Sequence, residues 1–107
     1  MHKARPEVKE IIEEYKQALK ALGINAEGVI LYGSHVLGNQ REDSDIDVMV
    51  VSKDFRNLNL RERLEILGIA AARMHKPIEA KGYTPEEIEA AQEASFLKEI
   101  LEGGVSI

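Results

Sequence analysis

The sequence contains no cysteine and no tryptophan, and only three prolines, three tyrosines and two phenylalanines occur among its 107 residues. The absence of cysteine excludes a disulfide framework, a thiolate metal site and a cysteine nucleophile. No apolar run is long enough to cross a membrane, and no signal-peptide pattern precedes the first amphipathic segment. We therefore expect a cytoplasmic protein whose stability comes from one hydrophobic core.

The chain also lacks an excess of positive charge, because 14 Lys and Arg face 19 Asp and Glu, for a net charge of −5. Proteins held to nucleic acid by charge present a basic surface, so this balance argues against a nucleic-acid partner. The length predicts a single domain over residues 1–107. A neutral or cationic partner fits this charge, as does an anionic one that metal ions bring in.

The spacing of apolar residues predicts six main elements in the order α, β, β, α, β, α, with a short helix after the Gly-Ser turn at 33–34. Thr84, Pro85 and Glu87 carry the signature of a helix start with a capping box. Three short strands packed on helices make a small α/β domain. The predicted helices cover 6–22, 60–74 and 85–101, and the predicted strands cover 29–32, 45–51 and 78–83.

Side-chain alternation predicts that the two faces of this sheet differ. Ile46 and Val48 share one face of the second strand, and helices are expected to bury them. The other face is expected to present Asp45, Asp47 and Glu79 to solvent. The middle helix is expected to bury a stripe that consists of Leu60, Leu64, Leu67, Ala71 and Met74.

Gly33-Ser34 follows the first strand directly. A glycine lets the backbone approach a ligand closely, and a serine at a helix start binds phosphate together with exposed amides. The same dipeptide is also typical of a plain strand-turn-helix connection in which Ser34 is only the cap. Taken alone, the dipeptide therefore favours the plain connection.

Asp45 and Asp47 change that balance. Two residues apart on a strand, they project from the same face, with Cα atoms about 6.5–7 Å apart. Their mutual repulsion is relieved by a hard divalent cation such as Mg²⁺, which binds carboxylates together with substrate phosphates. A solvated strand end, or aspartates that cap backbone amides, is the structural alternative. The preceding Gly-Ser favours a catalytic site.

Glu79 is the best candidate for a third acid, because its parity on the next strand places it beside the aspartates. An exposed charge on an edge strand is the alternative for Glu79. Glu42 and Asp43 compete by sequence proximity, but a strand holds a side chain more firmly than a loop does. The candidate phosphate-binding cations are Arg41, Lys53 and Lys81.

Gly33-Ser34, ten intervening residues, Asp45-x-Asp47 and a later strand acid resemble the signature of the DNA polymerase β-like nucleotidyltransferase superfamily. The short length and the run Ser44–Val48 are similar to its minimal nucleotidyltransferase branch. The resemblance covers residues 29–83. It implies a mixed sheet and the transfer of a nucleoside monophosphate from a nucleoside triphosphate such as ATP.

The same resemblance implies the roles of individual residues. Asp45 and Asp47 would bind two Mg²⁺ ions, and Glu79 would ligate the catalytic ion and help deprotonate the acceptor hydroxyl. Gly33 and Ser34 would hold the triphosphate. Many relatives carry arginine after Gly-Ser where this chain has His35, Val36 and Leu37. Phosphate binding would then depend on backbone amides, on His35 or on Arg41.

Members of this branch are commonly paired with a small HEPN-domain protein in toxin–antitoxin modules, where the transferase adds AMP to its partner. The resemblance thus implies a HEPN-type protein acceptor. A catalytically weak or inactive module that neutralises a partner by complex formation is the main alternative. Transfer to an antibiotic or other small molecule is less favoured, because the chain has no further domain to hold it. The sheet edges also leave room for a homo-oligomer.

Overall fold

The computed structural model describes residues 6–32, 46–90 and 103–107, which form helices packed against one mixed sheet. The order of elements agrees with the small α/β domain predicted from the sequence. The elements are α1 (Pro6–Ala21), β1 (Gly28–Tyr32), β2 (Ile46–Val51), a 3-10 helix (Lys53–Phe55), α2 (Leu60–Met74), β3 (Ile78–Tyr83), α3 (Pro85–Ala90) and β4 (Val105–Ser106).

The strands lie in the order β3-β2-β1-β4. β1 pairs antiparallel with β2, and β2 pairs parallel with β3 through the crossover that contains α2. β4 pairs antiparallel with β1 and adds a short fourth strand to the three that were predicted. A two-residue strand has no side-chain periodicity, so only its pairing with a distant strand defines it.

One face of the sheet carries the main core, to which α1 and α2 contribute. The Tyr15 hydroxyl of α1 donates a hydrogen bond of 2.8 Å to the Leu67 carbonyl of α2, which ties the two helices together. Burial raises the pKa of Tyr15 well above its usual range. The sheet side chains in this core include Val29, Leu31, Ile46, Val48, Val50 and Ala80.

Local sequence sets the helix ends. The amides of Gly23 and Ile24 bond back to the carbonyls of Lys20 and Leu19, and Gly23 has a φ of +90°, which an L side chain rarely adopts. The predicted capping box is present at α3, where the Glu87 amide donates to Thr84 Oγ1 and the Thr84 amide donates to Glu87 Oε1.

The prediction for the buried stripe of α2 was partly wrong. Leu67 and Ala71 are buried, but Leu60 is 66% exposed and Leu64 is 55% exposed. Arg63 takes a core position instead, at 6% exposure. The physical reason is that backbone carbonyls satisfy its guanidinium, which an apolar periodicity does not reveal.

The alternation predicted that the second face of the sheet is open to solvent, but part of that face is covered. Met49 is fully buried there, in contact with half-buried apolar side chains of β1, β2, β3 and α3. The acidic residues therefore lie beside a small apolar cluster. That cluster consists of Met49, Ile30, Tyr32, Val51, Tyr83 and Ile88.

Within the described ranges, no helix is long and apolar enough to span a bilayer.

Candidate active site

Three polar side chains form a row across the second face of the sheet. Tyr32 of β1 is the register partner of Asp47 of β2, and Asp47 is the register partner of Glu79 of β3. Register partners on neighbouring strands point to the same face and lie about 5 Å apart. The two carboxylates are therefore adjacent, as the strand parity predicted.

The pKa of Tyr32 depends on both carboxylates. Its pKa is raised to about 12, first by burial and then by the negative charges of Asp47 and Glu79, with a smaller effect of Tyr83. Negative charge disfavours formation of a tyrosinate. The fields of both carboxylates thus converge on the same small volume at the end of β1.

The carboxylates differ in exposure, because Asp47 is half-buried in the central strand β2 and Glu79 is exposed on the outer strand β3. Two carboxylates on one face offer hard oxygen donors, the kind of ligand that Mg²⁺ binds. In the described part of the chain no three acidic or histidine side chains come together as a metal site. Asp47 and Glu79 are the two described members of the predicted triad.

The remaining predicted residues fall into two groups. β1 ends at Tyr32, directly before the predicted Gly33-Ser34 turn, and β2 begins at Ile46, directly after Asp45. The residues Gly33, Ser34, His35, Arg41, Glu42, Asp43 and Asp45, together with the short helix predicted after the turn and positions 91–102 of the last helix, lie outside the described residues.

The two described candidate cations occupy different places. Lys81 is on the same face of β3 as Glu79, two residues further along. Lys53 follows the far end of β2, about 20 Å from Asp47 along the strand direction. Its amide donates to Glu27 Oε2 at 2.5 Å, at the junction with β1. Lys53 is therefore not beside the carboxylates.

A buried arginine, which the sequence analysis did not single out, holds the end of β3. Arg63 donates to the carbonyls of Leu58, Phe55 and Gly82 at 3.0, 2.9 and 3.3 Å, and to Glu87 Oε1 at 2.6 Å. Arg63 stands four residues before Leu67, so helical spacing alone places it on the buried side of α2. This spacing could have indicated its burial from the sequence. This network fixes β3 against α2 and so supports the strand that carries Glu79.

The close packing at Gly82 belongs to the same network. A side-chain carbon at this position would lie 2.8 Å from two atoms of the Phe55 ring, so only glycine fits. The guanidinium of Arg63 lies 5.6 Å from the centre of that ring. Its hydrogen bond to Glu87 is also the main cause that holds the pKa of that carboxyl below its usual range.

Comparison with known proteins identifies the family. Residues 7–105 match the nucleotidyltransferase domain. The chain belongs to this family. Asp47 and Glu79 are the described residues of the motif that the sequence analysis compared with nucleotidyltransferases.

Three proteins of Methanocaldococcus jannaschii, each provisionally named a protein adenylyltransferase, are similar in sequence. Two are 36% and 35% identical over 66 and 65 residues, which is 61% of this chain and 65% and 64% of theirs. The third is 40% identical over 48 residues, 45% of this chain and 55% of its own. The match thus spans less than two thirds of the relatives' length.

The fold of this nucleotidyltransferase-family chain is also found in a solved structure. A crystal structure of a provisionally named nucleotidyltransferase from Sulfolobus solfataricus matches with a TM-score of 0.50, over 84% of each chain and at 22% identity. At this identity the likeness concerns the fold alone. It agrees with the α/β architecture that the described strands and helices form.

Proposed function

We propose that this protein is a Mg²⁺-dependent nucleotidyltransferase that moves AMP from ATP onto a hydroxyl group of a protein partner. The observation that carries the proposal is the register pairing of Asp47 with Glu79 on one face of the sheet, next to the end of β1. Family membership supports the class of reaction. The names of the archaeal relatives support a protein acceptor.

The donor chemistry of the row fits a hard cation. Asp47 and Glu79 present only oxygen ligands, and the pKa of Tyr32 is raised first by burial and then by the negative charge of both. Asp45, Asp47 and Glu79 would hold two Mg²⁺ ions. When bound, these ions would neutralise charge on the phosphate oxygens and favour ionisation of the acceptor hydroxyl.

The chain's own residues would orient the reactants and move one proton. Gly33, Ser34 and Arg41 would hold the triphosphate in line with the acceptor. The acceptor oxygen then forms a bond to the α-phosphorus as the bond to the bridging oxygen breaks, and pyrophosphate leaves. Glu79, which is exposed and can reach an incoming hydroxyl, would take the proton.

We further propose that the acceptor is a HEPN-type protein and that the pair is a toxin–antitoxin module in which AMP transfer silences the partner. The resemblance of the Gly33-Ser34 and Asp45-x-Asp47 motif to the minimal nucleotidyltransferase branch supports this choice. A module that silences its partner by binding alone would carry no label to it. The two mechanisms therefore separate in one assay.

The test is incubation with α-labelled ATP, Mg²⁺ and candidate partners, followed by gel separation and mass spectrometry. We expect AMP on a hydroxyl side chain of the partner protein. Glu79→Gln should abolish labelling, whereas Glu89→Gln, a matched change at an exposed glutamate outside the row, should leave it unchanged. Chelation of Mg²⁺ should also stop the transfer.

Three outcomes would contradict parts of this proposal. A tight complex without label would favour the binding module, and label on a small molecule would favour a different acceptor. Full labelling by folded Glu79→Gln would remove Glu79 from the chemistry. The circular dichroism spectrum of each variant checks that its fold is intact.

A further inference from the structure

β3 lies at one end of the described sheet, and the direction of its backbone groups follows from its pairing with β2. The Ile46 amide donates to the Pro77 carbonyl at 2.7 Å, and the Ser52 amide donates to the Tyr83 carbonyl at 3.0 Å. Odd-numbered residues of β3 therefore face β2. Because the direction alternates along a strand, Ile78, Ala80 and Gly82 direct their amides and carbonyls outward.

Two of these six outward groups already have partners within the chain. The Ile78 amide donates to the Lys76 carbonyl at 2.9 Å, and the Gly82 carbonyl accepts from Arg63 Nη1 at 3.3 Å. In the described part of the chain, the other four have no hydrogen-bond partner. These four are the Ile78 carbonyl, the Ala80 amide, the Ala80 carbonyl and the Gly82 amide.

We propose that the outer edge of β3 is the interface of a homodimer, in which β3 pairs antiparallel with β3 of a second copy about a two-fold axis at Ala80. In this register the two Ala80 residues exchange both of their backbone hydrogen bonds. Each Gly82 amide donates to the Ile78 carbonyl of the second copy. All four outward groups of each chain are then satisfied, and the two groups that already have partners need no new ones.

The charges on β3 are complementary in the same register. A two-fold axis at Ala80 places Glu79 of each chain directly opposite Lys81 of the other, on the second face of the sheet. The dimer thus contains two equivalent pairs of opposite charge. A shift of the register by two residues would place Lys81 opposite Lys81 or Glu79 opposite Glu79.

Apolar surface flanks this edge where the second copy would lie. Leu60 and Leu64 of α2 are 66% and 55% exposed. They line a cavity of about 190 Å³ together with Lys81, Gly82 and Tyr83 of β3. Antiparallel β3 pairing brings α2 of the second copy to the same side of the joined sheet, where the two α2 helices run antiparallel and each would cover apolar surface of the other.

A second copy of this chain is the occupant that these features favour. A two-fold interface requires that one surface complement itself, and the β3 edge does so in both hydrogen bonds and charge. The dimer does not depend on the proposed function. It does place Lys81 of the second copy beside Glu79 and therefore adds a positive charge next to the acidic row.

The test is sedimentation of the wild-type chain and of two charge variants, without nucleotide. At about 100 µM we expect the wild type at twice its monomer mass of 11.9 kDa. Glu79→Lys and Lys81→Glu should each associate about tenfold or more weakly, because both cross-strand pairs become repulsive. A one-to-one mixture of these two variants restores both pairs and should recover the dimer.

Glu89→Lys, a charge change at an exposed position outside β3, is the matched control and should dimerise as the wild type does. A monomeric wild type, single variants that dimerise normally, or a mixture that stays monomeric would each overturn the proposal. If a variant fails to fold, the interface is tested on the wild type with a carbodiimide, which links a carboxylate to a neighbouring amine. A dimer linked through Glu79 and Lys81 supports the interface, and a dimer linked only elsewhere overturns it.

Discussion

The two faces of the sheet are formed by the same strands but differ in burial and in polarity. Leu31 and Val48 point to the helix-covered face and are fully buried. Their chain neighbours Tyr32 and Asp47 point to the other face, where they are only half-buried. Alternation along each strand thus places a core residue next to a residue of the candidate site.

The difference between the faces has an energetic basis. Burial of apolar side chains against α1 and α2 stabilises the fold by about 25 cal/mol for each Å² removed from water. On the second face, Asp47 and Glu79 are adjacent and repel each other unless a cation is present. The first face therefore supplies the stability of a sheet whose second face carries two neighbouring carboxylates.

The largest expected effect on stability comes from the helix-covered face. Leu31→Ala leaves a cavity at a fully buried site and should lower the free energy of unfolding by about 2–5 kcal/mol. Ile69→Ala, at a residue that is 47% exposed, should cost less than about 1 kcal/mol. Urea unfolding measures both. Equal losses would mean that the core does not lie where the structure places it.

Asp47→Asn should change activity strongly and stability little, in contrast to Leu31→Ala. If Asp47 acts as proposed, transfer activity should fall by roughly 10²–10³-fold, because a charged group of the proposed metal site is lost. The free energy of unfolding should fall much less than in Leu31→Ala, because the change removes no buried apolar volume. Asp54→Asn is the control, since Asp54 Oδ2 accepts from the Asn25 amide at 2.8 Å, away from the site. It should weaken the fold and spare the transfer rate per folded molecule.

Stability should fall at acid pH through Glu87. Its folded pKa is lowered, chiefly by the hydrogen bond from Arg63, so its contribution is complete above the unfolded pKa of about 4.3. That contribution is lost as the pH falls through the folded value. Glu87→Gln should lower stability at pH 7 and flatten its loss between pH 5 and pH 3. An unchanged pH profile would contradict this, and Glu89→Gln serves as the control.

A smaller effect should be seen in the titration of Tyr32, whose pKa is about 12. Asp47→Asn and Glu79→Gln should each lower this pKa, because each removes a negative charge, while the larger effect of burial remains. Tyrosine carbon NMR resolves the residue from Tyr15 and Tyr83. If neither variant moves the pKa of Tyr32, the two carboxylates do not act on the same volume.

The smallest effect should come from the surface. Arg56 and Glu86 form an ion pair in which the side chains are 50% and 56% exposed, and the pKa of Glu86 is lowered to about 2 by Arg56. Solvent and salt screen such pairs. Glu86→Gln should therefore leave the melting temperature nearly unchanged at physiological salt. A large drop would show that α3 depends on this contact.

Much of the fold could be predicted because local patterns specify it. The bounds of β3 and α2 follow from period-two and helical spacing, and the Thr84 capping box follows from three residues. Arg63 was missed, since its burial depends on carbonyls supplied by the 3-10 helix, the loop after it and β3. β4 was missed because its pairing with β1 joins segments far apart in the chain.

The candidate site shows the same division. Strand parity correctly predicted that Asp47 and Glu79 share a face. Parity did not predict Tyr32 as their neighbour, because that requires the antiparallel register of β1 with β2. The apolar cluster around Met49 was also unforeseen, since it depends on α3 and Tyr83 packing on the second face.

By itself, the sequence determined the bounds of α2 and β3 and which strand residues share a face, because backbone periodicity is a local property. Only the tertiary structure decided the strand order, the registers and the burial of Arg63. Those depend on contacts between residues distant in the chain, whose energies no single segment contains. The pairing of Asp47 with Glu79 needs both, since parity fixes the face and the parallel register of β2 with β3 fixes the neighbour.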